Sequence, residues 1–175
     1  AFGEHEGKMG HAGKPYNELI HIPLFVSLPG VITGRRVVDE PVQLLDIPPT
    51  ILDVLGLPEQ EQFQGLSLLP LVDRRSRETY ANRMIVSTWA GNSCSIQGRW
   101  KVFDDVLLRK KFLFDLASDP GETRDVATGH SDLFGLMAAE LSAYVAGAKD
   151  QGKLYEHVKG LEPGQAIDVM KQEQL

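Results

Sequence analysis

Between residues 4 and 21 the chain gathers three of its five histidines, His5, His11 and His21, with Lys8, Lys14, Glu4, Glu6 and Glu18. Gly3, Gly7, Gly10 and Gly13 are interleaved with them. These side chains suit the handling of an anion. A lysine held in place stabilises negative charge that grows in a transition state. An imidazole can donate to an anionic oxygen or protonate a departing alcohol. Histidines also ligate metals, but the spacing of these three fits neither one face of a helix nor a known zinc pattern. So polar and glycine-rich a segment cannot build a core, and it leads straight into an apolar run. Polar loops at strand ends are where α/β proteins keep their chemistry. Chain ends are equally where solvated tails occur, so composition alone leaves both readings open.

The elements that would position this loop can be read in order. A helical turn is expected at Tyr16 to Leu19. His21 to Leu28 reads as a strand that is apolar on both faces, with Ile22, Leu24, Val26 and Leu28 on one and Phe25 on the other. Burial on both sides is the habit of strands inside helix-covered sheets. Pro29-Gly30 ends it. A helix is predicted over 47–55, with Asp46 as N-cap, Pro48 and Pro49 in the first turn, and Ile47, Ile51, Val54 and Leu55 as its inner face. Gly56 and Pro58 stop it. After a polar linker at 59–64 and a short apolar segment at 65–72, the charged stretch 73–79 reads as a boundary.

Beyond it, short strands are expected at Arg83–Trp89, Ser93–Gln97, Trp100–Asp104 and Lys111–Leu116. Gly91-Asn92 and Gly98 mark hairpin turns, so the strands should form an antiparallel meander. Trp89 and Trp100 are assigned to the core of that small sheet. Asp119-Pro120-Gly121 is a tight turn. A helix should run from Asp132 to Lys149 with Ser131 as N-cap, and with Phe134, Met137, Leu141, Tyr144, Val145 and Ala148 as its inner face. The expected organisation is residues 1–72 as the end of an α/β domain, 80–150 as the sheet with its helix, and 151–175 as a tail carrying a short helix near Pro163.

Bulk properties narrow the function. A formal charge of −6 and a pI near 5.3 argue against nucleic acid as a partner, because phosphate binding needs a basic face. One cysteine, Cys94, excludes an internal disulfide and a multi-cysteine zinc site. No apolar run has the length of a membrane-spanning helix, so no membrane partner is expected.

Five blocks in order carry a resemblance. They are Phe2-Gly-Glu-His, then Gly10-His11, then the stretch from Gly13 through Tyr16-Asn17-Glu18 to Val26; Pro29-Gly30, the basic pair Arg35-Arg36 and the stretch Val38 to Pro58; Gln64 to Leu71; Arg99-Trp100-Lys101-Val102-Phe103; and Phe112 to Ala127 with its Asp-Pro-Gly-Glu. Together they resemble the sulfatase family of the alkaline-phosphatase superfamily over roughly residues 2 to 145. The resemblance implies an α/β chain: the C-terminal part of an alkaline-phosphatase-like α/β sandwich, followed by a small antiparallel four-stranded sheet with a packed helix. It also implies hydrolysis of sulfate esters. In a complete enzyme of this family a formylglycine, made from the Cys or Ser of a C/S-x-P-x-R motif, attacks the sulfate, and calcium or another divalent cation holds it. No such motif occurs in this sequence, and Cys94 lies in Asn-Ser-Cys-Ser-Ile. The expectation is therefore a chain that binds neither group alone, is inactive alone, and has the missing N-terminal half of the same fold as its partner.

On the same resemblance, Lys14 is the candidate that contacts the sulfate, His11 the candidate donor to a sulfate oxygen or leaving alcohol, and His5 a substrate-binding histidine of the Gly-Glu-His block. Their partners being absent, residues 1–15 should be poorly packed, with Lys14 and His11 exposed. His21 reads as a structural histidine and Arg35-Arg36 as a surface turn. Lys101 should pair with an acid such as Asp115 or Glu122. Two other readings stay open: a phosphodiesterase or phosphonate hydrolase of the same superfamily, and a non-catalytic interaction module.

Overall fold

The structure is a computed structural model that describes residues 5, 14–72, 77–89 and 92–158, with side-chain surroundings described as far as residue 148. Two compact units divide at Gly129, residues 1–129 and 130–175. The expected boundary at 73–79 falls partly on residues 73–76, outside those described. The expected tail helix near Pro163 also lies outside them.

In the first unit, α1 (Asn17–Ile20) forms at the expected turn, where the amides of Leu19 and Ile20 both donate to the Tyr16 carbonyl. The strand expected over 21–28 does not form. The backbone there has no regular structure, and no ladder pairs with it among the described residues. Phe25 is 90% exposed, and Ile22, Leu24 and Val26 are also on the surface. The residues have the strand pattern; the neighbouring strands that would turn it into a ladder are missing from the described set. Helix α2 (Ile47–Val54) tells the same story. It tolerates Pro48 and Pro49 because first-turn amides have no helical partner. It closes at Gly56, φ +66°, where the Leu57 amide returns to the Leu52 carbonyl. Yet Ile51, Val54 and Leu55 of its expected inner face are exposed, and Pro49 is its buried residue.

Asp46 stands at the N-cap position of α2 as expected, but its side chain makes no capping hydrogen bond there. It ends a short 3₁₀ turn, Leu44–Asp46, and its fully buried carboxylate ties distant segments together. Oδ1 accepts from the Leu66 amide at 2.9 Å and from Arg83 Nη1 at 2.8 Å, while Oδ2 accepts from the Gln43 amide at 2.8 Å and from Arg83 Nη2. Gly65 passes so close to this turn that an added Cβ would sit 1.8 Å from the Leu45 carbonyl oxygen. Gly65→Ala should therefore displace backbone. We expect a loss of roughly 1–3 kcal/mol, the range for overpacking, read as a lowered midpoint in urea. An unchanged midpoint would mean the 44–66 approach is slack. Helices α3 (Leu69–Val72) and α4 (Arg77–Ala81) follow, the latter anchored by a hydrogen bond from the Tyr80 hydroxyl to the Ser67 carbonyl.

The meander forms as expected: β1 (Ile85–Trp89), β2 (Asn92–Gln97), β3 (Trp100–Asp105) and β4 (Lys110–Asp115) lie in sequence order, all antiparallel. Register places Cys94 opposite Phe103 and Phe103 opposite Phe112, so these share one face with Lys101, Phe114 and Asp105. Ser95, Val102 and Leu113 are fully buried on the other. Trp89 is 57% exposed, at the end of edge strand β1, so it is not core. Trp100 is half-buried, with the Arg99 guanidinium 5.3 Å above its ring.

The second unit contains α5 (Ser131–Val158), which runs past its expected end at Lys149. Met137 and Leu141 are buried, Phe134, Tyr144 and Val145 half-buried, and Ala148 exposed. Among the described residues no helix is long and apolar enough to cross a membrane.

Candidate functional site: a loop seated on the third strand

The loop that carries the candidate residues sits on the sheet. Alternate residues of a strand point to one face, and on β3 the loop-side residues are Lys101, Phe103 and Asp105. Each meets a different loop residue, in order. Lys101 Nζ lies 2.5 Å from Glu122 Oε1 and donates to Asn17 Oδ1 at 3.2 Å. The Asn17 amide donates to the other oxygen of Glu122 at 2.6 Å. Phe103 meets Tyr16, ring centroids 5.3 Å apart, and Tyr16 and Ile20 pack on the cluster of Cys94, Phe103 and Phe114. Asp105 Oδ2 lies 2.8 Å from Lys14 Nζ. An ion pair, an aromatic contact and a second ion pair thus align residues 14–17 with β3.

Of the expected site residues, His11 lies outside those described. His5 stacks flat on Tyr16, ring centroids 3.7 Å apart with 3° between planes, and its Nδ1 lies 2.7 Å from Glu18 Oε1. The Glu18 carboxylate thereby sets the direction in which His5 Nε2 points, and that atom is buried with no hydrogen-bond partner among the described residues. Lys14 is not exposed as expected: 13% of its side chain is accessible. The reason is that one of its partners, Asp105, lies in this chain at the end of β3. His5 thus stacks on the ring of Tyr16, whose amide donates to the Lys14 carbonyl at 2.7 Å. His21 is exposed, its amide bonded to the Asn17 carbonyl. Arg36 donates to the Val72 carbonyl, and Arg35 is exposed.

Electrostatics follow this geometry. Burial alone would push the Asp105 carboxyl up. The hydrogen bond from Lys14 and those from the Leu108 and Leu107 amides outweigh burial and hold it below its usual value. Of the two acids expected for Lys101, Glu122 takes the pair. Asp115 instead takes Arg99, with Nε to Oδ1 at 2.6 Å, and that guanidinium holds its carboxyl well below the usual range. The Cys94 thiol is pushed up to about 11 by burial, which removes it as a nucleophile. Among the described residues no group of three or more His, Cys, Asp or Glu could hold a metal ion. The acids nearest the loop are each engaged: Glu18 with His5, Asp105 with Lys14 and two amides, Glu122 with Lys101 and Asn17.

Asn17 and Asp105 were not singled out from sequence. The available signal was the alternation Lys101-x-Phe103-x-Asp105, a cation, an aromatic ring and an acid on one strand face opposite a loop bearing Lys14, Tyr16 and Asn17.

A family model described as N-sulphoglucosamine sulphohydrolase, C-terminal, matches residues 11–144, from the loop through the sheet. Arylsulfatase K of Rattus norvegicus is 29% identical over 157 residues, 82% of this chain and 28% of that protein. Delta 4,5-hexuronate-2-O-sulfatase of Bacteroides thetaiotaomicron is 25% identical over 147 residues, 77% of this chain and 30% of that protein. The chain thus spans less than a third of the length of these relatives. A crystal structure of a putative sulfatase from Bacteroides thetaiotaomicron shares the fold, with a TM-score of 0.53 at 23% identity, over 62% of this chain and 25% of that one.

Proposed function

We propose that this chain, which belongs to the N-sulphoglucosamine sulphohydrolase C-terminal family, is the C-terminal portion of an enzyme that hydrolyses sulfate esters. The observation that carries the reading is the family match across residues 11–144, which takes in both the loop and the sheet that seats it. The names of the two relatives support an aryl sulfate and a hexuronate 2-O-sulfate as the substrates to try first.

In the complete enzyme formylglycine would supply the nucleophile and a divalent cation would supply charge for the sulfate oxygens. No group of three or more His, Cys, Asp or Glu among the described residues fits that cation. What the chain itself contributes is charge and position. Lys14 supplies a cation for the sulfate oxygens, whose negative charge grows as the ester bond breaks. His11 and His5 supply donors, and the Glu18 contact keeps the His5 ring from turning. The sheet seats Lys14 through Asp105 and Tyr16 through Phe103, which suits sulfuryl transfer because positioning and charge do most of the work there.

The test joins this chain to its upstream nucleophile- and metal-bearing portion and measures hydrolysis of both sulfates. Lys14→Ala and His11→Ala should each lower turnover on the order of 10² to 10³, by analogy with loss of one oxyanion donor. Parental turnover in both variants would remove the loop from the active site. Cleavage of phosphodiesters without sulfate hydrolysis would overturn the reaction class.

A further inference from the structure

We propose that Asp105 is the positioning residue for Lys14, an inference that rests on the loop being part of a sulfatase active site. Asp105 is fully buried, and its two oxygens have separate tasks. Oδ1 accepts from the amides of Leu107 and Leu108, at 3.0 and 3.1 Å, and so closes the turn between β3 and β4. Oδ2 lies 2.8 Å from the Lys14 ammonium. A carboxylate with one oxygen fastened to backbone cannot swing. The ammonium it holds is therefore fixed relative to β3 rather than merely attracted towards it.

The neighbouring contacts explain why a third point is needed. Asn17 is held by Lys101 and Glu122, and Tyr16 by Phe103, but both act on the backbone and ring that follow Lys14. The lysine side chain is long and has large rotamer freedom when unrestrained. Asp105 removes that freedom where the charge sits. A cation displaced by about 1 Å can lose up to about 10²-fold of its catalytic effect, so a carboxylate that fixes its place acts on rate without touching substrate.

Asparagine separates the two tasks of this side chain. Asp105→Asn keeps an oxygen for the Leu107 and Leu108 amides and keeps the shape, but turns a donor towards the ammonium. In the 175-residue chain, labelling of Lys14 by an amine-acylating reagent, followed by peptide mass spectrometry, should rise several-fold, while labelling of Lys110 and Lys111 stays at the parental rate. In the complete enzyme, kcat for the sulfate ester should fall on the order of 10-fold with KM within about twofold, because the cation remains but is no longer held in place. Unchanged Lys14 labelling overturns the inference, and so does parental kcat alongside a damaging Lys14→Ala. A lowered unfolding temperature without either change assigns Asp105 to hairpin closure alone and overturns it too. If Lys14→Ala keeps parental turnover, the active-site reading fails first and takes this inference with it.

Discussion

Lys101→Ala should destabilise the first unit by about 3–5 kcal/mol, the cost of breaking a buried ion pair from one side. Both side chains of the Lys101–Glu122 pair are inaccessible to solvent. Without Lys101 the Glu122 carboxylate stays in a dry site, and the Asn17 side chain loses the donor it faces. For a chain of this length that corresponds to a fall in unfolding temperature on the order of 10 °C, measurable by circular dichroism. The double replacement Lys101→Met with Glu122→Gln should recover most of it. It removes both charges together while leaving an oxygen for the Asn17 amide, which now bonds Glu122 at 2.6 Å. A single variant within about 1 kcal/mol of the parent would show that water reaches the pair, since exposed pairs are worth no more than that.

Asp46→Ala should have an effect of similar size at the other end of the unit. Four donors converge on this buried carboxylate: two from Arg83, one from the Leu66 amide and one from the Gln43 amide. Alanine leaves a guanidinium that is 11% exposed without its counter-ion, and two amides without acceptors. The expected loss is again about 3–5 kcal/mol. It should also be local. Amide hydrogen exchange at Leu66 and Gln43 should accelerate, while the amides of β2 and β3 keep their protection relative to global unfolding. Equal acceleration across the sheet would mean that Asp46 supports the whole unit rather than the 41–66 segment. Arg83 adds a link of its own, from Nη2 to the Pro41 carbonyl at 3.2 Å.

The sheet was legible because its signals are local. Alternating apolar residues and the turn glycines Gly91 and Gly98 define four short strands without reference to anything distant. The pairing of Lys101 was half legible: a lysine in a buried strand demands an acid, and Glu122 and Asp115 were the acids near enough in sequence. What chose between them was the competing claim of Arg99 on Asp115. The seat of Lys14 on Asp105 was not legible, because it depends on how residues 14–17 lie along β3. Asp46 shows the reverse case. An acid two residues before a pair of prolines is a sound N-cap signal and Asp46 does hold that position, but its carboxylate, instead of capping the helix, is taken by a largely buried arginine far along the chain. The strand at 21–28 and the inner face of α2 failed for a further reason. Their apolar patterns were read correctly, but a pattern states only that a face is to be covered. The family match and the length of the relatives support the proposal that the cover belongs to the upstream part of the same enzyme.

That uncovered stretch has a consequence for how the chain behaves at high concentration. Leu24 to Leu28 is uncharged, apolar and largely solvent-facing, the composition from which stacked sheets of identical segments nucleate. Proline stands on each side of it, at Pro23 and Pro29. Neither can donate a backbone hydrogen bond, so the uninterrupted run is held to five residues. Steric zippers need about six or seven. The two prolines therefore act as fences, leaving the apolar segment on the surface while denying it the length to template copies of itself.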